Sequence, residues 1–171
     1  MTVTDPALPA DLYRACYLTG EFVLRSGKTS DHYFDKYRFE ADPRLLRRVA
    51  EALAPLVPKD CEIVAGPELG GVPLATALSA VTELPARFVR KQAKSYGTRL
   101  AAEGGSVDGK RIVIVEDVTS TGGQIVETIG MLRDDGAVIT DALVVIVRSD
   151  EPAQNLADVG VRLHTLYTCL L

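Results

Sequence analysis

The sequence predicts an α/β protein with a central, mostly parallel sheet flanked by helices and a small N-terminal hood. Three observations carry this reading. Ile112-Val113-Ile114-Val115 and Leu143–Val147 are unbroken apolar strand patterns, as expected where both faces of a sheet are covered. Segments of helical periodicity alternate with the strand patterns, which implies βαβ units. That alternation is missing from the N-terminal segment. The expected organisation is a single domain over 1–171, with the hood at about 1–40 and the core at about 41–171.

In the hood, Glu21–Leu24 and His32–Phe34 read as short strands around the turn-rich Ser26–Ser30. Asp42-Pro43 is a helix start, with an acceptor at the N-cap and proline at the first helical position. Leu45, Leu46, Val49, Leu53 and Leu56 recur near helical spacing behind it, and Pro58 is the expected stop. Ile63–Ala65 is a short strand running into Gly66-Pro67. Leu74–Val81 reads as a helix and Arg87–Val89 as a strand. A Gly-rich turn follows Ile112–Val115, and then Ile125, Ile129 and Leu132 mark a helix that ends before Gly136. Ligands bind such sheets at the carboxyl ends of the strands.

The chain has 171 residues, 47% hydrophobic and 25% charged, which gives disordered, collagen-like and coiled-coil readings little support. With 19 Lys and Arg against 23 Asp and Glu, the net charge of −4 disfavours a general nucleic-acid binder. Cys16, Cys61 and Cys169 are far apart and form no C-x-x-C pair. Neither a disulfide framework nor a zinc ribbon is indicated, and reduced thiols are expected. Met1–Pro9 has no secretory pattern, and the longest low-polarity stretch, Gly71–Val81, is too short to span a bilayer. A cytoplasmic location without membrane contact is the expectation. His32 and His164 fit neither a nucleophile dyad nor a metal site.

The chemistry concentrates in two segments. Arg111–Gln124 reads RIVIVEDVTSTGGQ. Its buried strand delivers Glu116 and Asp117 to the sheet's carboxyl edge, and Val118-Thr119-Ser120-Thr121-Gly122-Gly123-Gln124 then opens a helix. Small residues let the backbone curl around an anion with amides and hydroxyls inward, and the helix N-terminus adds its positive end. A phosphate cradle beside acidic acceptors of a diol points to a ribose 5-phosphate. GGSVDGK at 104–110 nearly spells a phosphate-binding P-loop, but Arg111 replaces the required Ser or Thr and the segment precedes a strand. It reads as a turn. The second segment, RFVRKQAKSYGTR at 87–99, holds five cations (Arg87, Arg90, Lys91, Lys94 and Arg99) and no acid. The rest of the chain is therefore more acidic than its net charge suggests, and such a loop can close over an anionic substrate.

These motifs resemble those of type I phosphoribosyltransferases, whose apolar strand, acidic pair and Thr/Ser-rich Gly loop bind 5-phosphoribosyl 1-pyrophosphate (PRPP). Arg90-Lys91-x-x-Lys94-x-Tyr96-Gly97 is similar to the catalytic loop of the orotate phosphoribosyltransferases, most of which carry His at the Tyr96 position. Gly66-Pro67-Glu68-Leu69-Gly70-Gly71 resembles the family's pyrophosphate-binding loop. Phe22–Asp35 resembles its N-terminal signature, and Arg148 stands where it places the Arg that pairs with the substrate carboxylate. Around Arg148 the usual Asp-Arg is Val147-Arg148, and Glu151-Pro152 replaces the expected Gly-Gly.

The resemblance implies the type I phosphoribosyltransferase fold and transfer of ribose 5-phosphate from PRPP to orotate, giving orotidine 5′-monophosphate and pyrophosphate. It implies catalytic roles for Lys94, Arg90, Lys91 and Asp117. PRPP would contact Arg25, Leu69, Gly70, Gly71, Arg90, Lys91, Lys94, Tyr96 and the run from Glu116 to Gln124. Orotate would contact Tyr33, Phe34, Ser120 and Arg148. Mg²⁺ would be carried by PRPP with no direct protein ligand, and a homodimer would share its active sites. Two alternatives stay open: a phosphoribosyltransferase for another base, and a non-catalytic PRPP-binding regulator.

Overall fold

The computed structural model describes residues 5–23, 27–91 and 101–168. In chain order its elements are α1 (Leu8–Cys16), β1 (Tyr17–Val23), β2 (Thr29–Phe34), α2 (Tyr37–Ala41), α3 (Pro43–Leu53), β3 (Ile63–Pro67), α4 (Gly71–Thr82), β4 (Ala86–Val89), β5 (Ala102–Glu103), β6 (Arg111–Thr119), α5 (Gly123–Asp134), β7 (Val138–Val147), α6 (Glu151–Asp158) and β8 (Arg162–Thr168). Six strands form one sheet in the order β5-β4-β3-β6-β7-β8, parallel except for β5 at the edge. β1 and β2 pair antiparallel in a separate ribbon. The α/β class read from the sequence is the observed one.

β6 shows why its four β-branched residues are all needed. Successive side chains point to opposite faces of a sheet. Ile112 and Ile114 enter a core with Ile125, Ile129 and Leu132 of α5, while Val113 and Val115 enter a second core with Leu74 and Leu78 of α4. Each such fully buried side chain contributes about 1.5–3 kcal/mol. Among the described residues, no helix is long and apolar enough to cross a membrane.

Asp42 caps α3 as expected, its carboxylate accepting from the Arg44 and Leu45 amides at 2.8 and 3.3 Å. The helix ends earlier than the apolar period suggests. Pro55 cannot donate to the carbonyl four residues back, and Ala54–Leu56 tightens into a 3₁₀ turn. α1 belongs to the core although its segment shows no strand–helix alternation. It buries Leu8, Leu12 and Cys16, and Arg48 of α3 clamps it by donating to the carboxylates of Asp5 at 2.7 Å and Asp11 at 2.8 Å. Burial pushes the Cys16 thiol up to about 11, and Cys16 and Cys61 are both free. Cys169 lies outside the described residues. β7 begins at Val138, well before the apolar run. Its buried Asp141 is satisfied by His164 Nε2 at 2.7 Å and by the Thr140 hydroxyl, which donates at 2.8 Å.

Candidate active site

The parallel strands end together. Pro67 of β3 is in register with Val89 of β4, and Thr119 of β6 with Val147 of β7. One edge of the sheet therefore collects the 68–71 turn, the start of the basic segment, the 119–124 loop and Arg148.

The 119–124 loop is tightly self-bonded. Thr119 Oγ1 accepts from the Gly122 amide at 2.9 Å, and Thr121 Oγ1 from the Gly123 amide at 3.4 Å. Gly122 has φ +77°, and a Cβ there would lie 2.9 Å from Leu156 Cδ1, so both conformation and space require glycine. α5 begins at Gly123, where its first amides lack intrahelical acceptors and can meet an anion. Ser120, Thr121, Gly123 and Gln124 are exposed. Two supports of this loop were not anticipated. Ser149 Oγ donates to the Ser120 carbonyl, and Asn155 Nδ2 of α6 to the Thr121 carbonyl at 2.7 Å. Asp150-Glu151-Pro152, with proline in the first helical turn, was the available signal for α6.

The acidic pair divides between the two faces of β6. Alternation sends Asp117 to the side of Val113 and Val115, where it is fully buried, while Glu116 is 8% exposed. Asp117 Oδ2 lies 2.7 Å from Lys36 Nζ, and Oδ1 accepts from the Val118 amide. Glu116 Oε1 accepts from the Asp117 amide at 3.2 Å. Burial and then the charge of Asp117 push the Glu116 carboxyl well above its usual range. Burial also acts to raise Asp117, but contacts with Glu40, Lys36 and Glu116 outweigh it and hold that carboxyl low. Lys36 and Glu40 carry no periodic or motif signal, because they meet Asp117 only through the tertiary fold.

Glu68 fastens the 68–71 turn to the start of the basic segment. Its amide donates to the Val89 carbonyl at 2.8 Å, and its Oε1 accepts from the Lys91 amide at 2.6 Å. The Glu68–Leu69 peptide is cis. Leu69 is exposed, while Gly70 and Gly71 are buried at the head of α4. The Arg90 amide donates to the Ala101 carbonyl at 2.9 Å, and its guanidinium lies 3.5 Å from Glu103 Oε1. Arg87, counted with the loop cations in the sequence, is instead a structural residue: it donates to the carbonyls of Ala86, Gly105 and Ser106. Arg25, Lys94, Tyr96 and Arg99 lie outside the described residues.

The hood reaches the same edge through β2. The Arg148 guanidinium sits 6.0 Å from the centre of the buried Phe34 ring. The neighbouring Tyr33 belongs to the opposite face of β2 and tilts against Phe22 at 5.6 Å. Phe34 and Arg148 are thus brought together, and Tyr33 is not brought with them.

Residues 38–162 match the phosphoribosyl transferase domain family. The chain is 46% identical over 164 residues to an orotate phosphoribosyltransferase of Nocardioides sp. (strain ATCC BAA-499 / JS614), covering 96% of this chain and 92% of that one. It belongs to the orotate phosphoribosyltransferase family. The Mycobacterium tuberculosis H37Rv family member superposes with a TM-score of 0.86 in its complex with Fe(III) dicitrate, at 28% identity over 95% of this chain and 94% of that one. In its complex with PRPP the TM-score is 0.80, at 25% identity over 94% and 93%. The family match begins within α2 and ends at the start of β8, so it spans every strand of the main sheet up to β8 and all of its carboxyl-edge loops.

Proposed function

We propose that this chain transfers ribose 5-phosphate from PRPP to orotate. The observation that carries the reading is the single sheet edge that joins an acidic pair, a hydroxyl- and amide-lined loop at a helix N-terminus, and an Arg148–Phe34 contact. Family membership and the PRPP complex of the mycobacterial relative support it.

The reaction is displacement at the anomeric carbon: the orotate ring nitrogen bonds to it as the carbon–oxygen bond to pyrophosphate breaks. Amides and hydroxyls from Val118 to Gln124 would hold the 5-phosphate, with the Ser149 and Asn155 braces keeping the loop in shape. Glu116 and Asp117 would accept from the ribose hydroxyls. The backbone at Leu69, Gly70 and Gly71 would meet the pyrophosphate, and Arg25, Arg90, Lys91, Lys94 and Tyr96 would offset its growing charge. Phe34 would lie against the base, with Ser120 and Arg148 at its polar edge. The donor set of amides, hydroxyls and cations fits PRPP arriving as its Mg²⁺ complex, in which the ion would neutralise part of the leaving group's charge. We further propose a cytoplasmic homodimer with shared sites.

Pyrophosphate release from PRPP is the deciding assay. Orotate is expected to support it, while uracil, adenine and hypoxanthine are not; release with one of the others alone would move the chain to a different base. Arg148→Ala is expected to raise the KM for orotate about 10- to 100-fold, the range for a lost charge-assisted hydrogen bond, with a smaller change for PRPP. Equal changes for both substrates would make Arg148 structural.

A further inference from the structure

Glu40 is a buried acid that the mechanism above leaves unused. It projects from α2, is 7% exposed, and neither of its carboxyl oxygens meets a protein donor. An ionised carboxylate in that setting is strongly unfavourable. Among the described residues, the charged and titratable groups around it are Asp117 and Glu116 from β6, Lys36 from the turn before α2, and Cys16 at the end of α1. α4, which also packs there, has no charged residue. Lys36 is committed to Asp117 at 2.7 Å, so among the described residues one cation faces the three acids Glu40, Glu116 and Asp117.

A proton on Glu40 resolves both problems, since it gives the carboxyl a donor and lowers the buried negative charge. The acceptor is at hand: a Cβ placed on Gly70 would overlap Asp117 Oδ2 and lie 3.1 Å from Glu40 Oε1, so the two acids converge over the same backbone atoms. Burial, then the hydrogen bond to Asp117 and its charge, push Glu40 up to about 9. We propose that Glu40 is a positioning residue which, as a neutral acid opposite Lys36, holds the Asp117 carboxylate in place for PRPP. This inference rests on the reading of Glu116 and Asp117 as acceptors of the ribose hydroxyls. Gly70 directly follows Leu69 in the proposed pyrophosphate turn, so the same contact couples the ribose end of the site to its leaving-group end.

The test is PRPP affinity by titration calorimetry on the full chain, with thermal unfolding alongside. Glu40→Ala is expected to weaken PRPP roughly 10- to 100-fold, as for a lost hydrogen bond to a charged group. Glu40→Gln is expected to bind nearly as wild type, because its amide can donate to Asp117 from the same position. Wild-type affinity should fall above about pH 9 as Glu40 ionises and places a second charge beside Asp117; Glu40→Gln should show a smaller decline, the part left by Glu116. A Glu40→Gln variant as weak as Glu40→Ala, or one whose alkaline decline is unchanged from wild type, overturns the proposal. If Glu40→Ala does not fold, the comparison of the Gln variant with wild type across pH decides alone. Asp117→Asn separates the two readings. Unchanged affinity there removes the diol assignment and this inference with it, whereas a weakened Asp117→Asn beside an unaffected Glu40→Ala removes only the inference.

Discussion

Lys94→Ala should lower kcat by roughly 10²–10³-fold, the usual effect of removing one preorganised stabiliser of developing charge, while thermal unfolding stays unchanged. Two other cations of the 87–99 segment are already engaged. Arg87 spends its guanidinium on three backbone carbonyls, and Arg90 lies beside Glu103. Arg87 is therefore not free to substitute for a lost Lys94, and Arg90 has its own proposed share of the pyrophosphate charge. Breaking the bond to pyrophosphate builds negative charge that a distant or already paired cation neutralises weakly. The unfolding temperature should hold because the segment's ends are fastened by groups other than the Lys94 side chain. These are Arg90 N to the Ala101 carbonyl, Lys91 N to Glu68, and Ala101 N to Asp135 Oδ2 at 2.9 Å. Steady-state rates with calorimetric PRPP binding check this. Near wild-type turnover would remove Lys94 from the chemistry.

The parts of the fold legible in the sequence are those where a single local pattern decides the structure. β6 is readable because covering both faces of the sheet demands apolar residues at 112–115 without interruption. The start of α3 is readable because Asp42-Pro43 carries its own cap and first-turn preference. β7 is readable only in its second half, since Asp141 breaks the run and is tolerated solely through His164 and Thr140. The two residues of β5 have no pattern to show.

The site divides in the same way. The strand–acid–glycine order at 111–124 and the 68–71 turn are contiguous in the chain, and the structure sets them at one edge. The groups that hold them in place are not contiguous. Lys36 and Glu40 reach Asp117, Glu68 reaches Lys91, and Asn155 reaches Thr121 only after the sheet has formed. Motif reading finds the residues that face a ligand. Their supports, chosen by tertiary contact, leave no periodic trace.

Gly70→Ala is the second large effect, and two physical rules disagree about it. Gly70 has φ −68° and ψ −30° at the head of α4, an ordinary helical conformation in which any residue is comfortable. Conformation alone would admit alanine there, because a right-handed φ/ψ carries no strain for a Cβ. Space decides otherwise, because the added methyl would overlap Asp117 Oδ2 and approach Glu40 Oε1 to 3.1 Å. Asp117 has little freedom to withdraw. It is fully buried and bound to Lys36 and to the Val118 amide. Overpacking of this kind typically costs about 1–3 kcal/mol, and any relief of it moves the acid proposed to hold the ribose. Gly70→Ala should therefore lower the unfolding temperature and weaken PRPP together. Gly130→Ala is the matched control. A Cβ there, within α5, meets nothing within 4 Å, so the propensity gain of about 0.5–1 kcal/mol should appear as a raised unfolding temperature. If Gly70→Ala instead matched wild type in both unfolding and PRPP binding, Asp117 would have to be free to shift, and the fixed seat assigned to it against Gly70 would be wrong.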